Sequence, residues 1–328
     1  MAEIIVKSRK WPVDGSFRIA HGSLTEIEVV EVKIKHKEYS GRGECRPYAR
    51  YDETPDSVIS QITGIKDDLT QNLDTDYLQT LLPAGAARNA LDCALWDLKA
   101  KQAGSRIWNV LNIPKPKARL TTFTLSIDTP KNMARAAIKA SNYPILKLKI
   151  GDYSGLEACL SVMHARPDAQ LIVDANESLT PDELNKFTNA LSSYPVLMIE
   201  QPLKHAEYNS VDHSPHNLPI LCADESLHTT EDLQKLWEAG YRAVNLKLDK
   251  CGGVTEALKL FTTAKNMGFV VMAGCMVGTS LAMAPMMALS SFADVLDLDG
   301  PLLLAKDIGY GLRYEGPIVH QPRRQLWG

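Results

Sequence analysis

The chain has 328 residues, 45% of them hydrophobic and 23% charged, with a formal net charge of −3. This is the composition of a globular protein large enough for a barrel and a smaller domain. The charge balance excludes a basic footprint for nucleic acid or a polybasic membrane surface, and no apolar run reaches the ~20 residues that span a bilayer. The six cysteines (Cys45, Cys93, Cys159, Cys222, Cys251 and Cys275) are scattered without a CxxC pair. They read as reduced thiols of a cytoplasmic protein. MAEIIVKSRKWPV at the start reads as a strand and lacks the apolar core of a signal peptide.

Residues 3–8 and 27–36 alternate apolar and polar positions, which predicts antiparallel strands. FRIAHGSLTE between them is polar and contains a glycine, so it reads as a wide hairpin loop or a mobile lid. GRGECRPYARYDET follows, turn-rich, with three arginines and two tyrosines. The pattern is helical from Thr54 to about Leu82, with Pro55 in the first turn. AARNALDCALWDLKAK, residues 86–101, repeats Ala90, Cys93, Ala94 and Asp97 at helical spacing and predicts a buried scaffold helix. IWNVLN and the PKPK linker at 114–117 close an α+β domain over residues 1–116.

RLTTFTLSI, 119–127, is the expected first strand of a second domain over residues 117–302. Short β-branched runs then end in charged residues at Lys149, Asp174, Glu200, Asp224 and Lys247, at steps of 25, 26, 24 and 23 residues. Two more strands are expected near Ala273 and Asp297. Such a step suits one strand, one helix and two loops, which predicts a parallel (β/α) barrel. Helix starts are legible at Thr180-Pro181-Asp182-Glu183 and Thr229-Thr230-Glu231-Asp232. The tail, 303–328, contains no further βα unit and is expected to pack back on the first domain.

The carboxyl ends of barrel strands form the face that carries chemistry. Asp174, Glu200 and Asp224 would place three oxygen donors there, a set that suits Mg²⁺ (or Mn²⁺) and leaves positions for substrate. Lys147 and Lys149, two apart on one strand, face the same side, with Lys247 four strands away on the opposite wall. Burial beside a second cation is expected to lower a lysine pKa toward general-base duty. Asp297 and Asp299 in DLDGP, away from the metal cluster, could hold an ammonium or guanidinium group, or serve as a turn. His213 and His216 in HSPH read as solvated, and Cys45 and Cys275 have no companion histidine motif for a nucleophile. The backbone of GCMVGTS, 274–280, either contacts substrate or opens a helix.

AARNALDCALWDLKAK, the KLK pair, VDANES, IEQPL, ADES, VNLKLDK, GCM and DLDGP together resemble the enolase superfamily. The resemblance is to its muconate-lactonizing branch and, through DLDGP, to the dipeptide epimerases. It implies an α/β fold, a (β/α)7β TIM-type barrel under an N-terminal α+β capping domain. It further implies Mg²⁺ on Asp174, Glu200 and Asp224, and acid/base catalysis by Lys149 and Lys247 on opposite faces of the α-carbon of a dipeptide's C-terminal residue. Substrate contacts are implied at Lys147, Asp297, Asp299, Thr124, Cys275 and Met276, and in the capping loops at His21, Leu24 and Arg46. The Ala-Glu epimerases carry an arginine in the 20s loop for the glutamate side chain. Here that loop holds His21 and Leu24, its only arginine is Arg18, and Arg46 or Arg50 is a substitute. Epimerases of hydrophobic dipeptides, o-succinylbenzoate synthases and N-acylamino-acid racemases of the same branch are alternatives, as is a non-catalytic peptide binder. A binder would need none of the lysines. The resemblance is compatible with a homo-oligomer and with a role in recycling of cell-wall peptides.

Overall fold

The computed structural model describes residues 2–19, 22–204 and 219–328. It opens with three antiparallel strands, β1 (Ala2–Ile19), β2 (Gly22–His36) and β3 (Tyr39–Cys45). The connection expected at residues 17–26 is largely strand instead. Phe17 pairs with Leu24 and Arg18 with Ser23, after a register shift beyond Pro12. Pro12 cannot donate to a ladder, so a shift beside it is chemically reasonable. The helical stretch expected from Thr54 divides into α1 (Pro55–Gly64), α2 (Lys66–Gln71) and α3 (Thr75–Leu81). Thr54 caps the first of these through a reciprocal box with Ser57, and Pro55 needs no N–H there.

The scaffold helix α4 (Ala86–Gln102) is buried along almost its whole length. One side meets β3, where a Cβ on Gly43 would stand 2.1 Å from the Ala90 carbonyl oxygen. Only a glycine admits that backbone approach. The polar residues of its first two turns face the second domain. Arg88 donates to the carbonyls of Cys251 and Gly252, Asn89 to Asp249, and Asp92 accepts from Thr255. A short α5 (Ile107–Val110) follows, and the chain's last residues lie against this pair: Trp327 Nε1 donates to Cys93 O and Gly328 N to Asp97.

The predicted first barrel strand is split. Residues 119–120 (β4, Arg119–Leu120) pair with the tail rather than with the barrel. The barrel strands are β5 (Phe123–Leu125), β6 (Ile145–Lys149), β7 (Gln170–Asp174), β8 (Val196–Glu200), β9 (Ile220–Ala223), β10 (Ala243–Leu246), β11 (Val270–Ala273) and β12 (Val295–Leu296). They form one sheet in sequence order with parallel pairing throughout. Thr122 N donates to Leu296 O at 2.9 Å and closes the last strand on the first. Helices α6 (Pro130–Lys139), α7 (Gly155–Ala165), α8 (Pro181–Leu191), α9 (Leu233–Glu238), α10 (Leu248–Cys251), α11 (Val254–Met267) and α12 (Ser280–Ala288) connect the described strands. At the helix start read from the sequence, Thr180 and Glu183 form a capping box. The tail ends its course with β13 (Tyr314–Glu315) and β14 (Ile318–Val319), the hairpin that holds β4.

Two periodic layers position the chemistry. Leu171, Val173, Ile199, Val244 and Val271 point outward into the core beneath the helices. Ile145, Ile172, Met198, Cys222, Ala243, Met272 and Val295 point inward and plug the barrel. One inward step later, two residues on, stand Lys147, Asp174, Glu200, Asp224, Asn245, Gly274 and Asp297. A polar layer on an apolar plug is therefore a direct consequence of the two-residue period of a strand.

Candidate active site

Asp174, Glu200 and Asp224 are buried, and each offers an oxygen within 4.8 Å of the others. Lys147 Nζ stands among them, 3.1 Å from Asp174 Oδ2, 2.8 Å from Glu200 Oε2 and 2.8 Å from Asp297 Oδ2. Lys149 Nζ is 2.5 Å from Asp174 Oδ2, and Lys247 Nζ is 2.6 Å from Asp224 Oδ2. In the strand order β6 and β10 are four places apart in a ring of eight, so Lys149 and Lys247 rise from opposite walls.

These pairings correct the expected lysine electrostatics. Burial does press the Lys147 and Lys247 ammonium groups downward, but the surrounding carboxylates outweigh it and hold both pKa values well above normal. The reciprocal effect is seen on the acids. Burial would raise Asp174 and Asp224, yet Lys149 with Lys147 hold the first below the usual range, and Lys247 with Lys250 hold the second well below it. Glu200 is pushed up to about 8 by burial and by the charge of Asp174. At Lys247 the repulsion from Lys147 is a smaller effect than the attraction of Asp224, 2.6 Å away.

Asp297 and Asp299 stand outside the triad but close to it. Lys147 Nζ bridges Asp297 to Asp174 and Glu200, and Thr122 Oγ1 donates to the other Asp297 oxygen at 2.6 Å. Asp299 Oδ2 accepts from Thr124 N at 2.6 Å, and burial with the Asp297 charge raises its pKa to about 6.

The cavity above the cluster is lined by Thr124, Lys147, Lys149, Asp224, Lys247, Cys275, Met276, Asp297 and Asp299, and on the capping side by Leu24 and Arg46. His21, His213 and His216 lie outside the described residues. Arg18 lines a neighbouring cleft with Ser23 and Asp128. Arg50 is engaged by Glu177 in a two-point pair at 2.8 and 2.9 Å. Among the described residues the Arg46 side chain makes one hydrogen bond, Nη1 to Val277 O at 3.1 Å, and it is the one arginine lining the cavity. Burial pushes the Cys275 thiol well up, which keeps it protonated and unsuited to attack.

Sequence reasoning missed several groups. Lys250, on the short helix α10, is buried and donates to the carbonyl and Oδ1 of Asp224 and to Asn245 O. Asn245 donates to Glu200 Oε1 at 2.7 Å, and a Cβ on Gly274 would stand 2.2 Å from Asn245 Oδ1, so the glycine clears its place. Asn245 and Gly274 could have been found by counting inward positions. Tyr48, Tyr51, Asn176 and Glu225 also line the cavity.

The donor set fits a divalent cation. It consists of hard oxygens without nitrogen or sulfur, and Glu200 Oε2 is buried with no hydrogen bond, its ion pair to Lys147 aside. Asp174, Glu200 and Asp224 would hold the ion.

Comparison with known proteins follows the same line. The family description "Mandelate racemase / muconate lactonizing enzyme, N-terminal domain" matches residues 1–112, and "Enolase C-terminal domain-like" matches residues 131–323. The L-Ala-D/L-Glu epimerase of Escherichia coli (strain K12) is 41% identical over 322 residues, 98% of this chain and 100% of that protein. An N-acetyl-D-glutamate racemase of Pseudoalteromonas sp. is 42% identical over 305 residues, 92% of this chain and 95% of it. A solved structure of an enolase family member from Agrobacterium tumefaciens, with bound sodium and L-Ala-L-Glu, superimposes with TM-score 0.95 at 39% identity, covering 100% of both chains. The dipeptide epimerase of Enterococcus faecalis V583, complexed with Mg and L-Leu-L-Tyr, gives 0.89 at 26% identity, covering 98% of this chain and 97% of that one. The chain belongs to the enolase superfamily, with the N- and C-terminal domains of its mandelate racemase/muconate lactonizing branch.

Proposed function

We propose that the protein is a Mg²⁺-dependent epimerase that inverts the α-carbon of the C-terminal residue of L-Ala-L-Glu and L-Ala-D-Glu, with Mn²⁺ able to replace Mg²⁺. The observation that carries this reading is the placement of Lys149 and Lys247 on opposite walls above one carboxylate triad. In the enolase superfamily generally, a lysine or histidine base works with Mg²⁺. The cation, when bound, supplies positive charge against a substrate carboxylate and so acidifies the adjacent C–H.

This chain's residues do the rest. Lys149, once neutral, takes the α-proton from one face and becomes an ammonium; Lys247, as an ammonium, returns a proton to the other face and becomes neutral. The reverse direction exchanges the two roles. Lys149 and Lys247 each touch one carboxylate of the triad, Asp174 and Asp224, which places both amines beside the metal ligands. Lys147 adds a fixed positive charge at the same wall. Asp299 accepts from the dipeptide's α-ammonium, and Arg46 pairs with the glutamate side chain, whose burial without a partner would be costly.

A second reading, racemisation of an N-acylated glutamate, is favoured by one specific feature. Lys147 already occupies Asp297, leaving Asp299 alone to meet an ammonium. The two readings share the glutamate α-carbon and differ only at its nitrogen. Comparing kcat/KM for L-Ala-L-Glu, N-acetyl-L-Glu and L-Ala-L-Leu separates them, and L-Ala-L-Glu is expected to be best. Arg46→Ala is expected to lower the Ala-Glu value by about 10- to 100-fold, the range of a hydrogen bond to a charged group, and to leave Ala-Leu nearly unchanged. A preference for Ala-Leu that Arg46→Ala does not alter would leave an epimerase of hydrophobic dipeptides.

A further inference from the structure

The two lysines are held differently. Lys149 Nζ donates to two acceptors, Asp174 Oδ2 at 2.5 Å and Asn176 Oδ1 at 3.1 Å. Among the described residues Lys247 Nζ has one, Asp224 Oδ2 at 2.6 Å. A neutral amine nitrogen carries two N–H bonds and one lone pair. When both N–H bonds are directed at fixed acceptors, one direction remains for the lone pair. Lys149 lines the cavity, the space a substrate would occupy, so a fixed lone-pair direction there can be matched to a bound α-carbon. In the ammonium form the third N–H takes the same direction, which is where a returning proton is needed.

Asn176 is itself fixed. Its Nδ2 donates to Glu225 Oε1 at 2.9 Å, and its backbone N–H to Asp174 Oδ1 at 3.2 Å. Turning the amide over would set its NH₂ against the N–H groups of Lys149 and its oxygen against the Glu225 carboxylate. The neighbours therefore admit one orientation. The backbone at Asn176 has φ +43°, in the left-handed region that asparagine tolerates better than most residues. Asn176 and Glu225 are both buried, and Glu225 Oε2 has no hydrogen bond of its own, so Asn176 is the side chain that Glu225 holds.

We propose that Asn176, held by Glu225, is a positioning residue that aims Lys149 at the α-carbon, so that Lys149 is geometrically locked while Lys247 is not. The proposal rests on the epimerase reading above for its rate effects but not for its structural one. In Asn176→Ala, epimerisation is expected to slow by about 100-fold, a typical result of misplacing a reacting group, with KM changed less than about threefold. Both directions must slow together because the equilibrium constant ties them. Solvent exchange of the α-proton in D₂O is not so tied. The isomer whose α-proton faces Lys247 is expected to keep exchanging near the parent rate without inversion, and the other isomer to lose exchange together with epimerisation. Glu225→Leu should show the same isomer-selective pattern. Glu225→Gln, whose carbonyl still accepts from Asn176, should recover most of what Glu225→Leu loses.

General damage to the site would depress exchange from both isomers equally, and that result overturns the proposal, as does an Asn176→Ala variant with parent kinetics. A crystal structure of Asn176→Ala gives a readout that needs no substrate. Lys149 Nζ is expected to leave its single position and spread over more than one rotamer. An unmoved, well-ordered Lys149 overturns the proposal even for a protein that epimerises none of the dipeptides offered, an outcome that would itself count against the proposed function instead.

Discussion

Replacing Lys247 with alanine is expected to abolish epimerisation, with a loss of at least about 10³-fold in kcat, within the range contributed by a positioned general acid or base. Lys149→Ala is expected to do the same. The reason is topological: the two side chains rise from β6 and β10 on opposite walls, and the proposed mechanism assigns each to one face of the α-carbon. Proton exchange separates their roles. In Lys247→Ala, the isomer whose α-proton faces Lys149 should still exchange with D₂O while its configuration is retained. In Lys149→Ala, the other isomer should do so. Deuterium incorporation followed by mass spectrometry, together with chiral separation of the product, checks both. Epimerisation by Lys247→Ala at the parent rate would exclude the two-base arrangement.

Glu200→Gln is expected to remove activity to a similar extent and to weaken Mg²⁺ binding, measured by calorimetry, by at least about 10-fold. Glu200 is the middle donor of the triad, and Asn245 and Lys147 both address its carboxylate. A glutamine keeps the volume and the acceptor for Asn245 but removes a charge. The variant should therefore remain folded, with its thermal midpoint less responsive to added Mg²⁺ than that of the parent. Chelation of the parent should likewise abolish turnover, and Mg²⁺ or Mn²⁺ should restore it. Full turnover after exhaustive chelation would contradict the assignment of Asp174, Glu200 and Asp224 as metal ligands.

The barrel was legible because its strands are short, β-branched and regularly spaced, and because each inward position lies two residues from the next. That period alone brings Asp174, Glu200 and Asp224 into one layer with Lys147. What the sequence hides are contacts made across long separations. Residues 119–120 look like the start of a barrel strand, and only the hairpin at 314–319 shows that they pair elsewhere. Lys250 looks like a surface lysine of a four-residue helix, yet it turns beneath Asp224. The protonation of Lys147 and Lys247 depends on distances of about 3 Å to carboxylates on other strands, which no spacing along the chain specifies. Asn176 was visible only as a letter in VDANES; its backbone angle and its place between Lys149 and Glu225 belong to the fold.

The central claim, that this carboxylate triad and lysine pair invert a glutamate α-carbon, is tested most directly by proton NMR of L-Ala-L-Glu incubated with the protein and Mg²⁺ in D₂O. The predicted result is loss of the glutamate α-proton signal and appearance of L-Ala-D-Glu until the two diastereomers are comparable, while the alanine α-proton stays intact. Retention of the glutamate α-proton with the metal-loaded, folded protein would contradict it.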